Sequence, residues 1–373
     1  MIIDSHAHIF PPLGGPSGFK SQILHSKYTQ HALMFHHQPV RRLKDHSVIN
    51  EQNLYDENNI TMEGLANVDF RGGGFGRLAW TAGGDDHYLQ YLPPTLIGNS
   101  ASAELMIAQM DYVGIGRAVL QTGHLYGRLN RYLSMAVKKF PDRFWALAMI
   151  DEWRADSPSQ LRILENAITD LGLHGLWFQT SALEQHGRPE HLCDPVFYPF
   201  WDSVKDMGIP VYMNVTAAGP GPKPYLDQLA AFECWLQRYR DIPVMYPHGL
   251  SLYRFMRDGK ISIPDEAWRP LEAPNLIVEI LIPKFQGAIW EYPFIEAQPI
   301  IREYYNRLGP DRLAWASDMP NVERHCTYKQ SLDYLRIHCD FIPSTDMDKI
   351  CGDNVARLFM NPKETFQKGA SRE

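Results

Sequence analysis

The chain has 373 residues, 45% of them apolar, and a net charge of −7 from 36 basic and 43 acidic side chains. That is ample material for a large core, and the mild acidity argues against a nucleic-acid or other polyanionic partner. Length alone allows two domains, but α/β barrels of this size run as one.

The chain opens Met1-Ile-Ile-Asp-Ser-His-Ala-His-Ile-Phe10. Residues 2–8 read as a strand, and strand alternation puts His6 and His8 on one face. Two imidazoles at the carboxyl end of a strand make half of a metal site. An apolar start with two spaced histidines is unlike an expression tag.

Residues 11–100 break the pattern. They hold Pro11-Pro12-Leu-Gly-Gly-Pro16, a histidine-rich stretch from His25 to His46, and Arg71-Gly-Gly-Gly-Phe-Gly-Arg77. Trp80, Tyr88 and Tyr91 follow. We expect an insertion of loops with a short hairpin, acting as a lid or an oligomer contact. Its histidines are expected at the surface or in the lid. Gly72-Gly-Gly74 follows no predicted strand, so it is discounted as a phosphate loop.

A helix signal begins at Ser102, and β-rich runs then alternate with amphipathic stretches. The runs are 117–122, 144–150, 173–179, 209–214, 242–248, 275–280 and 312–318. With residues 2–8 they make eight, which predicts an α/β fold: a (β/α)₈ TIM barrel with a long lid-like insertion after the first strand. The catalytic barrel would comprise 1–10 and 101–373, and the insertion 11–100. A doubly wound open sheet is the alternative, but no glycine-rich dinucleotide turn follows the first strand.

Barrel enzymes collect their site at the carboxyl ends of the strands. That rule picks out His6, His8, His124, Gln179, Asn214, His248, Glu279 and Asp318. His6, His8 and Asp318 form a donor set for one divalent ion, zinc first and manganese second, with His248 in reach. Asn214 stands between ligand and supporting residue. His124 and Gln179 are assigned to the substrate pocket. Glu279 serves equally as a substrate contact or a structural carboxylate. Asp318 as a helix cap, His248 as a turn residue and a structural His174 are the plainer readings.

Ile3-Asp-Ser-His-Ala-His8, Pro247-His-Gly249, Leu313-Ala-Trp-Ala-Ser-Asp-Met-Pro320 and Ile350-Cys-Gly-Asp-Asn-Val-Ala-Arg-Leu-Phe359 together carry a resemblance. The chain resembles the amidohydrolase superfamily, in the branch of aminocarboxymuconate-semialdehyde decarboxylase-like proteins. The resemblance implies His6, His8 and Asp318 as ligands and His248 as the histidine that moves protons or polarises the substrate. It also implies a ligand histidine at the end of strand five, where this chain has Asn214. An amide oxygen suits harder ions than zinc.

Two reaction classes follow. The first is non-oxidative decarboxylation of an aromatic or enol-type carboxylate, with Asp318 or His248 supplying a proton to carbon. Arg71 and Arg77 would then hold an anionic group, and Trp80, Tyr88 and Tyr91 would flank a ring. The alternative is hydrolysis of an amide, lactone or related bond, with Asp318 as base and His248 polarising the carbonyl. A binding protein on a degenerate barrel is a third class.

The five cysteines, Cys193, Cys234, Cys326, Cys339 and Cys351, are scattered and odd in number. We expect no secreted disulfide framework and a reducing cytoplasm. No signal-peptide pattern opens the chain, and no apolar run approaches the roughly 20 residues of a membrane helix. The expected partner is a small-molecule carboxylate, with no nucleic acid and no membrane, and the chain is expected to form a homo-oligomer.

Overall fold

In the computed structural model eight parallel strands form one sheet in strict chain order. They are β1 (Ile3–Ala7), β2 (Arg117–Leu120), β3 (Phe144–Ala148), β4 (Gly175–Gln179), β5 (Val211–Asn214), β6 (Val244–Tyr246), β7 (Leu276–Ile280) and β8 (Leu313–Trp315). Each falls inside one of the eight runs read from the sequence. The described residues are 1–34, 36, 38–50, 53–219 and 221–360. His37, in the expected histidine-rich stretch, and 361–373, in the expected barrel segment, lie outside them.

The ends of the sheet meet just past β8, where His8 N donates to Met319 O at 2.7 Å and Asp318 N to His6 O at 2.8 Å. The sheet thus curls into a nearly closed TIM barrel. Buried on both faces, its strands read as near-continuous apolar runs. Helices such as Ala103–Val113, Asn130–Lys139, Pro158–Thr169 and Lys223–Arg238 cover the outside. The first of these is capped by Ser102 Oγ accepting from Leu105 N, as its signal predicts.

Inside the barrel Ile3, Val119, Trp145, Trp177, Tyr212, Met245, Ile277 and Ala314 form one apolar cluster. Val355 and Leu358 of the helix Asn354–Met360 join it and close the amino-terminal end. Simple alternation fails on β1. Asp4 pairs with Ala118 and Ala7 with Leu120, so β1 carries one extra residue, a β-bulge. The bulge lets Ser5 and His6 both turn toward Glu279.

Residues 11–100 are more ordered than the loops and hairpin expected. They hold a helix, Gln22–Ala32, and a separate five-stranded antiparallel sheet. Its strands, in spatial order, are 48–49, 40–42, 85–90, 77–82 and 71–74. They are short and rich in Arg, Asp and Gly, so β-propensity does not reveal them. Gly76 must be glycine, because its φ is +75° and a Cβ would lie 2.2 Å from Leu92 O.

The cysteine expectation needs a correction. Cys193 and Cys234 form a disulfide, with Cα atoms 6.1 Å apart, while Cys326, Cys339 and Cys351 are buried thiols. Among the described residues no helix is long and apolar enough to cross a membrane.

Candidate metal centre and active-site cavity

His6, His8 and Asp318 meet at the carboxyl end of the barrel. His6 Nε2 lies 3.1 Å from His8 Nε2, and Asp318 Oδ1 lies 2.9 Å from the latter and 3.5 Å from the former. His6 and Asp318 are fully buried and His8 nearly so. The protons on the two rings are spoken for. His6 Nδ1 faces Glu279 Oε2 at 2.9 Å, and His8 Nδ1 donates to the Gln121 main-chain carbonyl at 3.1 Å. Burial lowers His6 to about 3 and His8 to about 4, so both rings are neutral near pH 7. With protons on both Nδ1 atoms, the arrangement when Glu279 is ionised, two bare Nε2 lone pairs and a carboxylate oxygen face one another. Three acceptors with no donor between them repel unless a cation sits among them. The donor set therefore fits a divalent ion, and the hydrogen bonds behind each ring fix its tautomer.

Glu279 is fully buried and holds this arrangement from behind, rather than facing substrate. Its oxygens accept from Ser5 Oγ at 2.9 Å, Gln121 Nε2 at 3.0 Å and His248 N at 2.9 Å. Burial pushes its carboxyl up to about 8 against those donors. Asp4, not singled out in the sequence beyond its motif, clips β1 to the end of β8. It accepts from Ser317 N at 3.0 Å, Ser317 Oγ at 2.5 Å and Tyr328 OH at 2.8 Å.

His248 and Asp318 both have left-handed backbones, with φ of 69° and 61°. Strain of that kind in non-glycine residues clusters at functional sites. Gly249 follows with φ +69°, and a Cβ there would come within 2.8 Å of Glu279 O, which accounts for the glycine of Pro247-His-Gly249.

Asn214 meets His248, whose Nδ1 lies 3.2 Å from Asn214 Oδ1, while Asn214 Nδ2 donates to Gln179 Oε1 at 3.3 Å. His248 Nε2 then accepts from Lys284 Nζ at 2.9 Å. Burial and the neighbouring ammonium hold His248 well below the usual imidazole range. Lys284 Nζ also pairs with Asp318 Oδ2 at 3.1 Å, outside hydrogen-bond geometry, leaving that oxygen buried with no donor among the described residues. Burial alone would raise the Asp318 carboxyl, but Lys284 and the imidazoles hold it well below the carboxylate range. Lys284 was missed in the sequence. The signal was there: it lies four residues past the end of β7, in the loop region that the barrel rule favours.

Two adjoining cavities open over this cluster. The inner, about 160 Å³, is lined by His6, His8, Tyr28, His31, Tyr91, His124, Tyr126, Gln179, His186 and Asn214. The outer, about 550 Å³, shares Tyr91, Gln179, Asn214, His248 and Lys284 with it. His124 Nε2 donates to Glu152 Oε2 at 2.7 Å. Residues 11–100 supply part of the walls, through the helix Gln22–Ala32, Arg41 and Tyr91. Its other candidates lie elsewhere. Arg71 is spent on Asp69 and Asp86, at 3.1 and 2.9 Å, and Arg77 stacks on Tyr88 at 4.7 Å. Neither arginine lines either of these two cavities. Both belong to strands of the separate five-stranded sheet, which commits them to neighbours there. Trp80 is wholly buried beside Phe70 and His87, and Tyr91 alone of the three predicted aromatics reaches the cavities. His25 and His31 are buried, not superficial, and His25 joins the helix Gln22–Ala32 to the segment after β2 through Leu125 O at 2.9 Å.

The amidohydrolase family model matches residues 3–360. The chain belongs to the amidohydrolase family. Among curated proteins, none matches its sequence. Solved structures resemble this amidohydrolase in fold. A 5-carboxyvanillate decarboxylase from Sphingomonas paucimobilis is 19% identical with a TM-score of 0.50, over 72% of this chain and 86% of that one. A probable 2-pyrone-4,6-dicarboxylic acid hydrolase from Acinetobacter baumannii is 14% identical with a TM-score of 0.54, over 96% and 99%. A dihydroxybenzoic acid decarboxylase from Polaromonas sp., with bound manganese and an inhibitor, is 17% identical with a TM-score of 0.50, over 70% and 87%. The chain is thus an enzyme of this superfamily.

Proposed function

We propose that this amidohydrolase is a metal-dependent, non-oxidative decarboxylase of an aromatic or enol-type carboxylate. The observation that carries the reading is Lys284 Nζ, set 3.1 Å from Asp318 Oδ2 and 2.9 Å from His248 Nε2. A hydrolase of this type needs Asp318 to accept a proton from attacking water. An ammonium 3.1 Å from that carboxylate competes with an incoming proton for it, which makes it a poorer base. The same ammonium suits a lyase, because it offers charge to a substrate carboxylate and a proton to the carbon left behind.

His6, His8 and Asp318 would hold the ion, zinc by their donor types and manganese next. When bound, the ion supplies Lewis acidity toward the carboxylate and a neighbouring oxygen. Asn214 fixes the proton of His248 on Nδ1, which leaves Nε2 to accept from Lys284 and orient it. As carbon dioxide leaves, the electron pair of the broken carbon–carbon bond stays on the ring or enol carbon. That carbon takes a proton from Lys284 Nζ, and solvent restores it. His124 and Gln179 contact the substrate in the inner cavity, and Tyr91 with Tyr126 flanks its ring. Residues 11–100 act as the lid through the walls they supply.

The test is carbon dioxide release from hydroxybenzoates and muconate-like acids by protein loaded with zinc or manganese. Release from one of them, lost in Lys284→Met, supports the reading. Labelled solvent oxygen entering a product without gas release makes the enzyme a hydrolase instead.

A further inference from the structure

The protein is acidic overall, yet among the described residues its outer cavity is lined by Arg41, Arg254, Lys284 and Arg324 and by no aspartate or glutamate. These cations are not equivalent. Lys284 belongs to Asp318 and His248. Arg254 donates to Ala217 O, Gly219 O and Gly221 O, which pins it to the wall. Arg41 gives one N–H to His46 O. Among the described residues Arg324 donates only through Nε, to Asn321 O at 3.1 Å, and no carboxylate lies in ion-pair range of it. Glu323 beside it accepts from Gln109 at 3.2 Å instead, and burial alone raises its carboxyl. A half-buried guanidinium with its fork facing a cavity is placed to take a planar anion in bidentate fashion.

Its position relative to the metal centre follows from a chain of contacts. Asn321 Nδ2 reaches Asp318 Oδ1 at 3.1 Å and Tyr126 OH at 2.6 Å. Tyr126 lies 4.6 Å from the His8 ring, and its hydroxyl is 3.4 Å from that of Tyr91. The Arg324 guanidinium stands 5.9 Å from the Tyr91 ring centre. Two tyrosines thus lie between the cluster and Arg324, and a cavity of about 550 Å³ takes a substituted ring.

We propose that Arg324 is a second anion subsite, so that the substrate is a dicarboxylate with one acid at the metal centre and the other on this fork. Which acid is lost rests on the decarboxylase reading; the binding of two does not. The experiment is calorimetric titration of the full chain, with manganese added, using phthalate, isophthalate, terephthalate and benzoate. At least one diacid binds about tenfold or more tighter than benzoate, the worth of one added charged hydrogen-bonded contact. In Arg324→Gln that advantage falls below about twofold while benzoate binding is unchanged, and Arg324→Lys keeps part of it. Equal binding of benzoate and all three diacids overturns the proposal, as does an advantage that survives Arg324→Gln or one lost equally in Arg41→Gln. Failure of every ligand to bind by about 10 mM also overturns it. Absence of carbon dioxide release would instead sink the decarboxylase reading and leave this result standing.

Discussion

At the amino-terminal end of the barrel, Ile3, Val119, Trp145 and Ile277 pack against Val355 and Leu358 of the closing helix. At the carboxyl end the same strands and the turns beyond them deliver buried imidazoles, carboxylates and an ammonium, with Asp318 Oδ2 left without a donor among the described residues. One end stabilises by removing apolar surface from water. The other spends some of that stability on a charge arrangement that only a bound ion or substrate completes. The contrast teaches that stability and chemistry are separable here, and substitutions at the two ends should show it.

The largest effect belongs to Asp318→Asn. We expect metal affinity, followed by elemental analysis after dialysis, to fall by more than about a hundredfold, beyond the usual cost of losing a supporting hydrogen bond. Melting temperature should hardly drop, and retained metal would break the contrast. Leu358→Ala should do the reverse. Leu358 is fully buried, so the change costs about 2–5 kcal/mol by denaturant unfolding and leaves metal content intact. Loss of metal in that variant would mean the ends are coupled.

Asn214→Ala sharpens the carboxyl end alone. It frees the tautomer of His248, so turnover should fall about tenfold at unchanged metal content. Acid tests both ends together. His174 near Phe359 and His325 on the outer cavity wall are held down to about 4, and His186 to about 3, chiefly by burial. Unfolded imidazoles take up protons near 6.5 that these refuse. Their contribution is therefore present above about pH 6.5 and is lost as pH falls toward about 4. Melting temperature should decline between about pH 7 and about pH 5, less steeply in His174→Gln, and a flat profile would refute the assignment. The smallest effect expected is none: Arg71→Gln, on the separate five-stranded sheet, should leave diacid binding unchanged by calorimetry.

The strands were legible because burial on both faces demands unbroken apolar runs between turn residues, as in Phe144–Ala148 and Leu276–Ile280. His6, His8 and Asp318 were legible because the carboxyl-end rule converts strand endings into neighbours. Lys284 and Arg324 were not, since each sits on a short helical turn beyond its strand, where no periodicity marks direction. Arg71 and Arg77 looked like anion binders because a sequence does not show that nearby acids and rings already occupy them.

The order of residues by itself determined eight strands, their alternation with helices and the donors at their ends, because those follow from local hydrophobic pattern. Only the tertiary structure decided that a bulge turns His6 inward, that Glu279 stands behind the ring rather than before the substrate, and that a lysine shares the aspartate. Such facts depend on which distant side chains come within about 3 Å, and short-range pattern carries no record of that distance.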